Sequence, residues 1–405
     1  MAHVYPFAGV IQHYAWGGYD FLPDLLHLSN EGDRSWAELW MGAHPKGPGR
    51  LTGRDGTLVD LIEQDPAGQL GARVAQRFDE KLPFLLKILD VREMLSIQVH
   101  PDKEAAERGY AQEEKNGPAR DAPDRNYRDD NHKPELGVAL TDFYLLHGFR
   151  AAEQIKDTLT EVPGWHELLE VLNDKGVKGL YAHVMHADQS EIDRLLTPFV
   201  DTLGQRQYSR DQARFWAKRA VEQYSHGGHH DRGMFSIMWF NLVHLRPGEG
   251  IFQDAGIPHA YLEGVCIELM ANSDNVLRGG LTPKHIDVPE LLDKTRFSSV
   301  NPHIIRAEAA GAKDTGTSSR AHWKYYPTPA PDFKLLTAKA AAGDELRVDT
   351  TDGAAILLLL SGKLLLNGTT VDEGNRTIFL PAGQHMTLQV NEQTEVYLAT
   401  TNQDK

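Results

Sequence analysis

The chain changes texture twice, and that change restricts its possible folds more than any single motif. Between residues 151 and about 225, AAEQIKDTLT, WHELLEVLND, QSEIDRLLTPFVDTL and SRDQARFWAKRAVEQY return an apolar residue every three or four positions, the period of amphipathic helices. Strand texture flanks this block on both sides. LPFLLKILDVREMLSIQVH (82–100) and VALTDFYLLHGF (138–149) precede it, and MFSIMWFNLVHL (234–245) and GEGIFQDAGIPHAYLEGVCIELMA (248–271) follow it. Their β-branched and aromatic residues, punctuated by Gly turns, are those of sheets. The pattern predicts a mainly β fold interrupted by an α-helical insertion. From near residue 321, AAILLLLSGKLLLNG and RTIFLPAGQHMTLQV alternate with Gly-containing turns, the spacing of a small barrel or sandwich.

A weak repeat links the two β sections: IFQDAGIPHAY (251–261) and IFLPAGQHMT (378–387) share I-F-x-x-A-G with a His two or three residues later. It predicts two related barrels. The second is degenerate, because only the apolar ILLLLSGKLLL lies upstream of His385.

The first section carries polar residues where a buried strand should have none. In LSIQVHPDKE, Gln98 and His100 are two apart, so on a strand they leave from one face. NHKPELGVAL places Glu135 at the start of another strand, and DAGIPHAY places His259 at a Gly/Pro turn entering a third. Two imidazoles, a carboxylate and an amide oxygen suit one divalent ion per chain, with Zn2+ favoured and Mn2+, Fe2+ or Co2+ able to use the same set. The histidines of SHGGHHD (225–231) are read instead as a solvated linker and His44 as core packing.

Charge and cysteine content narrow the function. A formal charge of −15 over 405 residues disfavours nonspecific nucleic-acid binding, which needs a basic face; an anionic substrate would need a local cluster of cations. The single Cys266 cannot form an intrachain disulfide. No stretch approaches the roughly 18 apolar residues of a membrane span, and MAHVYPFAGVIQHYAWGG lacks a signal-peptide pattern. The expectation is a cytoplasmic protein with no membrane partner, monomeric, with a dimer left open.

Seven blocks, YAWGG, AELWMGAHPKGP, LPFLLKILD, LSIQVHPDKEAA, NHKPEL, GIPHAYLEG and MANSDNVLRGGLTPKHID, occur in this order. With them the chain closely resembles the type I mannose-6-phosphate isomerases, strongly up to about residue 300. The resemblance implies zinc on Gln98, His100, Glu135 and His259, and two cupin-like jelly-roll barrels, the first metal-binding and the second degenerate. The expected division is 1–150 and 234–320 as the two parts of the catalytic barrel, 151–233 as the helical insertion and 321–405 as the degenerate barrel.

The activity it implies is interconversion of mannose 6-phosphate and fructose 6-phosphate through an enediol, for which a Lewis acid stabilises the developing negative charge. Arg278 matches the catalytic arginine position, with electrostatic stabilisation as its role. For the base, Lys133 is the first choice among Lys133, His132, Asp274 and Glu268, with His132 and Glu268 equally suited to hydrogen bonding behind the metal ligands. Ser96, Lys87 and Lys284 match phosphate-side positions, and Trp16 either walls the sugar site or packs in the core. Three alternatives stay open: a noncatalytic metal-binding barrel protein, a nonhaem iron oxygenase, and an isomerase of another hexose 6-phosphate.

Overall fold

The structure, a computed structural model, describes residues 3–310 and 323–402; the expected boundary at 320 lies outside the described residues. Strands dominate. One sheet of eleven strands runs through the part of the chain up to residue 306, while sheets of eight and four strands build the C-terminal part. The first strand, Tyr5–Ala8, joins the C-terminal sheet by pairing with Thr377–Leu380.

The long strand His259–Ala271 organises the eleven-stranded sheet because it bends across two layers. Its first residues pair with Phe143–Phe149 and with Gln98–Val99. From Gly264 onward it pairs with Phe84–Val91 and Glu135–Ala139. The register shifts between Tyr261 and Glu263, and Gly264 has φ +121° with room for no Cβ, which would sit 2.4 Å from the Asp142 carbonyl oxygen. Glycine is required at that bend.

Registers then decide which side chains meet, since residues directly opposite on antiparallel strands share a face. His147, His259, Gln98 and Arg278 form one row across four strands. In the other layer Glu135 lies opposite Gln253, and Gly137, Glu268, Lys87 and Trp40 form a row two residues on. Below these polar rows the same face is apolar, with Leu89, Leu145, Val243, Leu245, Ile251 and Cys266. The opposite face, with Leu86, Ile88, Val138, Ile267 and Leu269, packs on Ile356, Leu358 and Phe379 of the C-terminal part. All eight residues of Phe84–Val91 are therefore buried, as expected of a strand covered on both sides, with only Lys87 and Asp90 interrupting its apolar sequence.

The insertion folds as the helices Ala152–Glu161, Leu168–His186, Gln189–Leu203 and Ala213–Tyr224. Their core of Trp165, Phe199 and Trp216 closes over Ile97, Val99 and Leu277. One expectation is corrected: MFSIMW begins as the helix Gly233–Trp239, and the strand starts only at Phe240. All seven helix residues are buried, so no polar face marks the helical period. The short helices Leu58–Gln64, Pro66–Leu70 and Ala72–Arg77 also escaped the sequence reading.

The internal repeat has a structural counterpart. Both copies are a strand, a turn with Gly256 or Gly383 in the left-handed region at φ +77° and +80°, and a strand beginning at His259 or His385. His259 is 3% exposed, whereas the side chain of His385 is 78% exposed and lies 3.4 Å from Asp349. Among the described residues no helix is long and apolar enough to cross a membrane.

Candidate active site

The bend in His259–Ala271 brings one end of each polar row together. His100 Nε2 lies 3.3 Å from Glu135 Oε1, and His259 Nε2 lies 3.4 Å from Glu135 Oε2, all three residues being at most 3% exposed. The Nδ1 of His100 sits 2.8 Å from the Asn275 carbonyl and that of His259 2.9 Å from the Ile257 carbonyl. A carbonyl only accepts, so each Nδ1 carries the proton and each Nε2 turns a lone pair toward the carboxylate.

His100 Nε2 is buried without a hydrogen bond. Ligand atoms of the three residues lie within 4.8 Å of one another, and Gln98 lines the same small cavity of about 50 Å3 beside Glu135 and His259. An orphaned imidazole nitrogen, a second imidazole nitrogen facing the same carboxylate, and that carboxylate fit a borderline divalent ion. Burial lowers the His100 pKa to about 4, with Lys133 adding to the effect and Glu135 opposing it; a neutral imidazole is the form that binds metal.

Around this centre two cations and three carboxylates share the cavity wall. Lys133 Nζ is 2.9 Å from Glu135 Oε1. Burial pushes the Glu135 carboxyl up, but Lys133 and His100 hold it well below the usual carboxylate range. Lys87, expected on the phosphate side, is 6% exposed and stands 3.0 Å from Glu268 and 3.6 Å from Glu38. Burial works against its ammonium, but Glu38 and Glu268 raise its pKa overall. Its charge is spent on those carboxylates, which is why an apolar run tolerates it. Glu268 has a raised pKa, from burial first and then Glu135, against the pull of Lys87.

Asn275, which the sequence reading passed over, ties this centre to the polar segment before it. Fully buried, its side-chain oxygen accepts from the amides of Arg128 and Asp129, and its NH2 donates to the carbonyls of Asp129 and Asn131. Its backbone carbonyl is the one that orients His100. The segment is anchored elsewhere too: Arg125 pairs with Glu113 and Glu114 at 2.8 Å, Asn126 with Asp287 at 2.8 Å, and Tyr127 with Glu290. The only sequence sign of this was an asparagine inside NSDN.

Asp274 pairs with Lys46 at 2.6 Å and lies 3.6 Å from His44, not with Arg278. Burial raises its pKa, but Lys46 and His44 bring it below the usual value. His132 leaves the group, placing Nε2 2.8 Å from Asp332 in the C-terminal part; no spacing rule links residues 200 apart. Trp16 stacks on the partly exposed Tyr14 and packs against the apolar floor. Burial of its hydroxyl, and then Glu38, raise the Tyr14 pKa.

Across the strand pair, Arg278 stands opposite Gln98. Ile97 and Val99 enter the helical core, leaving Ser96 and Gln98 partly exposed on the other face. Arg278 and Lys284 both have lowered pKa values, from burial and then from neighbouring cations: Arg128 acts on both, and Arg278 on Lys284. Among the described residues none of the three forms an ion pair. Cations that lower one another's pKa favour an anion held between them. Arg128, in RNYRDD, was missed because only the Asn275 clasp brings it there.

Comparison with known proteins agrees with this geometry. The family model "Phosphomannose isomerase type I, catalytic domain" matches residues 4–152. The mannose-6-phosphate isomerase of Escherichia coli is 37% identical over 391 residues, 94% of each chain. The human mannose-6-phosphate isomerase is 31% identical over 433 residues, 98% of this chain and 97% of its own. A crystal structure of the Salmonella typhimurium enzyme bound to substrate (F6P) and zinc superposes with a TM-score of 0.86 at 33% identity, covering 99% of this chain and 100% of that one.

Proposed function

The chain belongs to the type I mannose-6-phosphate isomerase family, and from that premise we propose that it interconverts mannose 6-phosphate and fructose 6-phosphate with Zn2+ as its metal. The observation that carries this reading is the pair of Nδ1-anchored histidines facing one buried carboxylate, with Arg278 opposite Gln98 on the neighbouring strand. Gln98, His100, Glu135 and His259 would hold the ion. Bound there, it would supply a Lewis acid for the oxygens on C1 and C2.

The chain's own residues divide the remaining work. Lys133, 2.9 Å from Glu135, acts in its neutral amine form, after giving up one proton: the amine takes the proton from C2 and returns it to C1, while the hydroxyl proton passes between the two oxygens, so atoms balance and nothing is oxidised overall. Arg278 offsets negative charge on the enediol, a role suited to a group that does not give up its proton. The phosphate is received by Arg278, Lys284, Arg128 and Ser96, and Lys87 keeps Glu268 and Glu38 in place from the interior. Asp274, held by Lys46, lines the sugar end. His132, paired with Asp332, orders the segment that carries Lys133. Trp16 supports Tyr14 by stacking on it. We also propose that the two β parts are a metal-binding cupin-like barrel, 1–150 with 234–320, and a degenerate one, 321–405, around the insertion 151–233.

The test is a coupled assay forming fructose 6-phosphate from mannose 6-phosphate, before and after chelation and after Zn2+ is restored. Activity that disappears and returns supports the reading, and turnover untouched by complete removal of metal refutes it.

A further inference from the structure

SHGGHHD, the loop closing the helical insertion, reads as a solvated linker. Its histidines behave so: His226 and His229 form a small turn, and His229 pairs with Asp193 at the surface. Its aspartate does something else. Asp231 Oδ1 accepts from the amides of Gly233 and Leu281, both at 2.7 Å, and Oδ2 accepts from Thr282 N at 3.2 Å.

Two of those amides belong to the turn between Arg278 and Lys284. Gly280 and Leu281 are both in positive-φ conformations, +123° and +52°, an arrangement a leucine adopts only when its surroundings impose it. The backbones of Gly233 and Gly280 touch: a Cβ on Gly280 would lie 2.6 Å from Gly233. On one side the turn is fixed to the metal strand, with Gly279 N bonded to the Ile97 carbonyl at 2.9 Å and Ile97 N to the Gly280 carbonyl at 3.0 Å. On the other, Lys284 N bonds Thr282 Oγ1 at 3.1 Å.

We infer that Asp231 is a positioning residue for sugar-phosphate recognition: by holding the amides of Leu281 and Thr282 it fixes the distance between Arg278 and Lys284. The helical insertion thereby sets substrate affinity without touching substrate. Three charge-assisted bonds to one carboxylate are strong enough to hold the left-handed backbone conformation that Leu281, unlike Gly280, does not prefer. The inference rests on the reading that these two cations receive the phosphate.

Asp231→Asn tests it, because the amide keeps one acceptor and turns a donor toward Thr282 N. In the zinc-loaded full chain, KM for mannose 6-phosphate and the dissociation constant for inorganic phosphate, measured by calorimetry, are expected to rise together by about tenfold, with zinc still near one per chain. In a Lys284→Ala background the same change should add little to phosphate affinity. Phosphate affinity unchanged in Asp231→Asn, whatever its thermal midpoint, overturns the inference, as does a full effect in the Lys284→Ala background. The phosphate titration needs no turnover, so a wild-type chain inactive on mannose 6-phosphate would defeat the isomerase reading separately.

Discussion

At the scale of single residues, the site separates groups that hold the ion from groups that act on substrate, and substitution should separate them too. His100→Ala or Glu135→Ala removes a nitrogen or the carboxylate from a buried constellation; each variant is expected to lose most bound zinc, read by elemental analysis, together with activity. Arg278→Ala should keep its zinc and lose turnover by about 100-fold or more, the scale of removing a stabiliser of developing charge. An Arg278→Ala protein that is fully active would end its catalytic assignment. Gln98, His100, Glu135 and His259 were legible because a polar residue inside an apolar strand needs a reason. Arg128 and Asn275 were not, since their importance comes from partners far along the chain.

At the scale of elements, short segments are held by single side chains. Asn275 satisfies four backbone groups of residues 128–131, so Asn275→Ala removes the partner of the Arg128 and Asp129 amides and of the Asp129 carbonyl, while Ser273 Oγ still donates to the Asn131 carbonyl, and a loss of about 2–4 kcal/mol is expected. Denaturation should report that loss, and weaker zinc retention should accompany it because His100 is oriented by the same residue. The YAWGG turn gives a pH prediction. A Cβ on Gly18 would lie 2.1 Å from an oxygen of Asp90. Burial, then Asp20, raises the Asp90 pKa to about 6, against the amide of Phe21. The folded state thus keeps this proton to higher pH than the unfolded chain does, and stability falls as pH rises from about 4 to about 6. Asp90→Asn removes the charge: it should leave the thermal midpoint little changed below about pH 4 and raise it at pH 7, a gain of up to about 3 kcal/mol. Equal midpoints at pH 7 would show the carboxylate is not destabilising.

At the scale of the whole molecule, the metal site joins strands far apart in sequence, so ion binding is linked to folding. Chelation is expected to lower the thermal midpoint, and restoring Zn2+ to raise it in proportion to the logarithm of free ion; scanning fluorimetry across a zinc titration checks this. The C-terminal part takes part through Asp332 on His132 and through Tyr5–Ala8 in its sheet.

By itself the sequence determined the order of strand, helix and strand sections, the four metal-ligand candidates and the family, because periodicity and local motif chemistry are written in neighbouring residues. Only the tertiary structure decided that Lys87 is spent on Glu38 and Glu268, that Asp274 belongs to Lys46, that Arg128 joins Arg278 and Lys284, and that Asp231 holds the turn between those last two. In each case the deciding contact is a hydrogen bond or charge interaction between positions that sequence spacing does not relate, and strand register and burial select the partner.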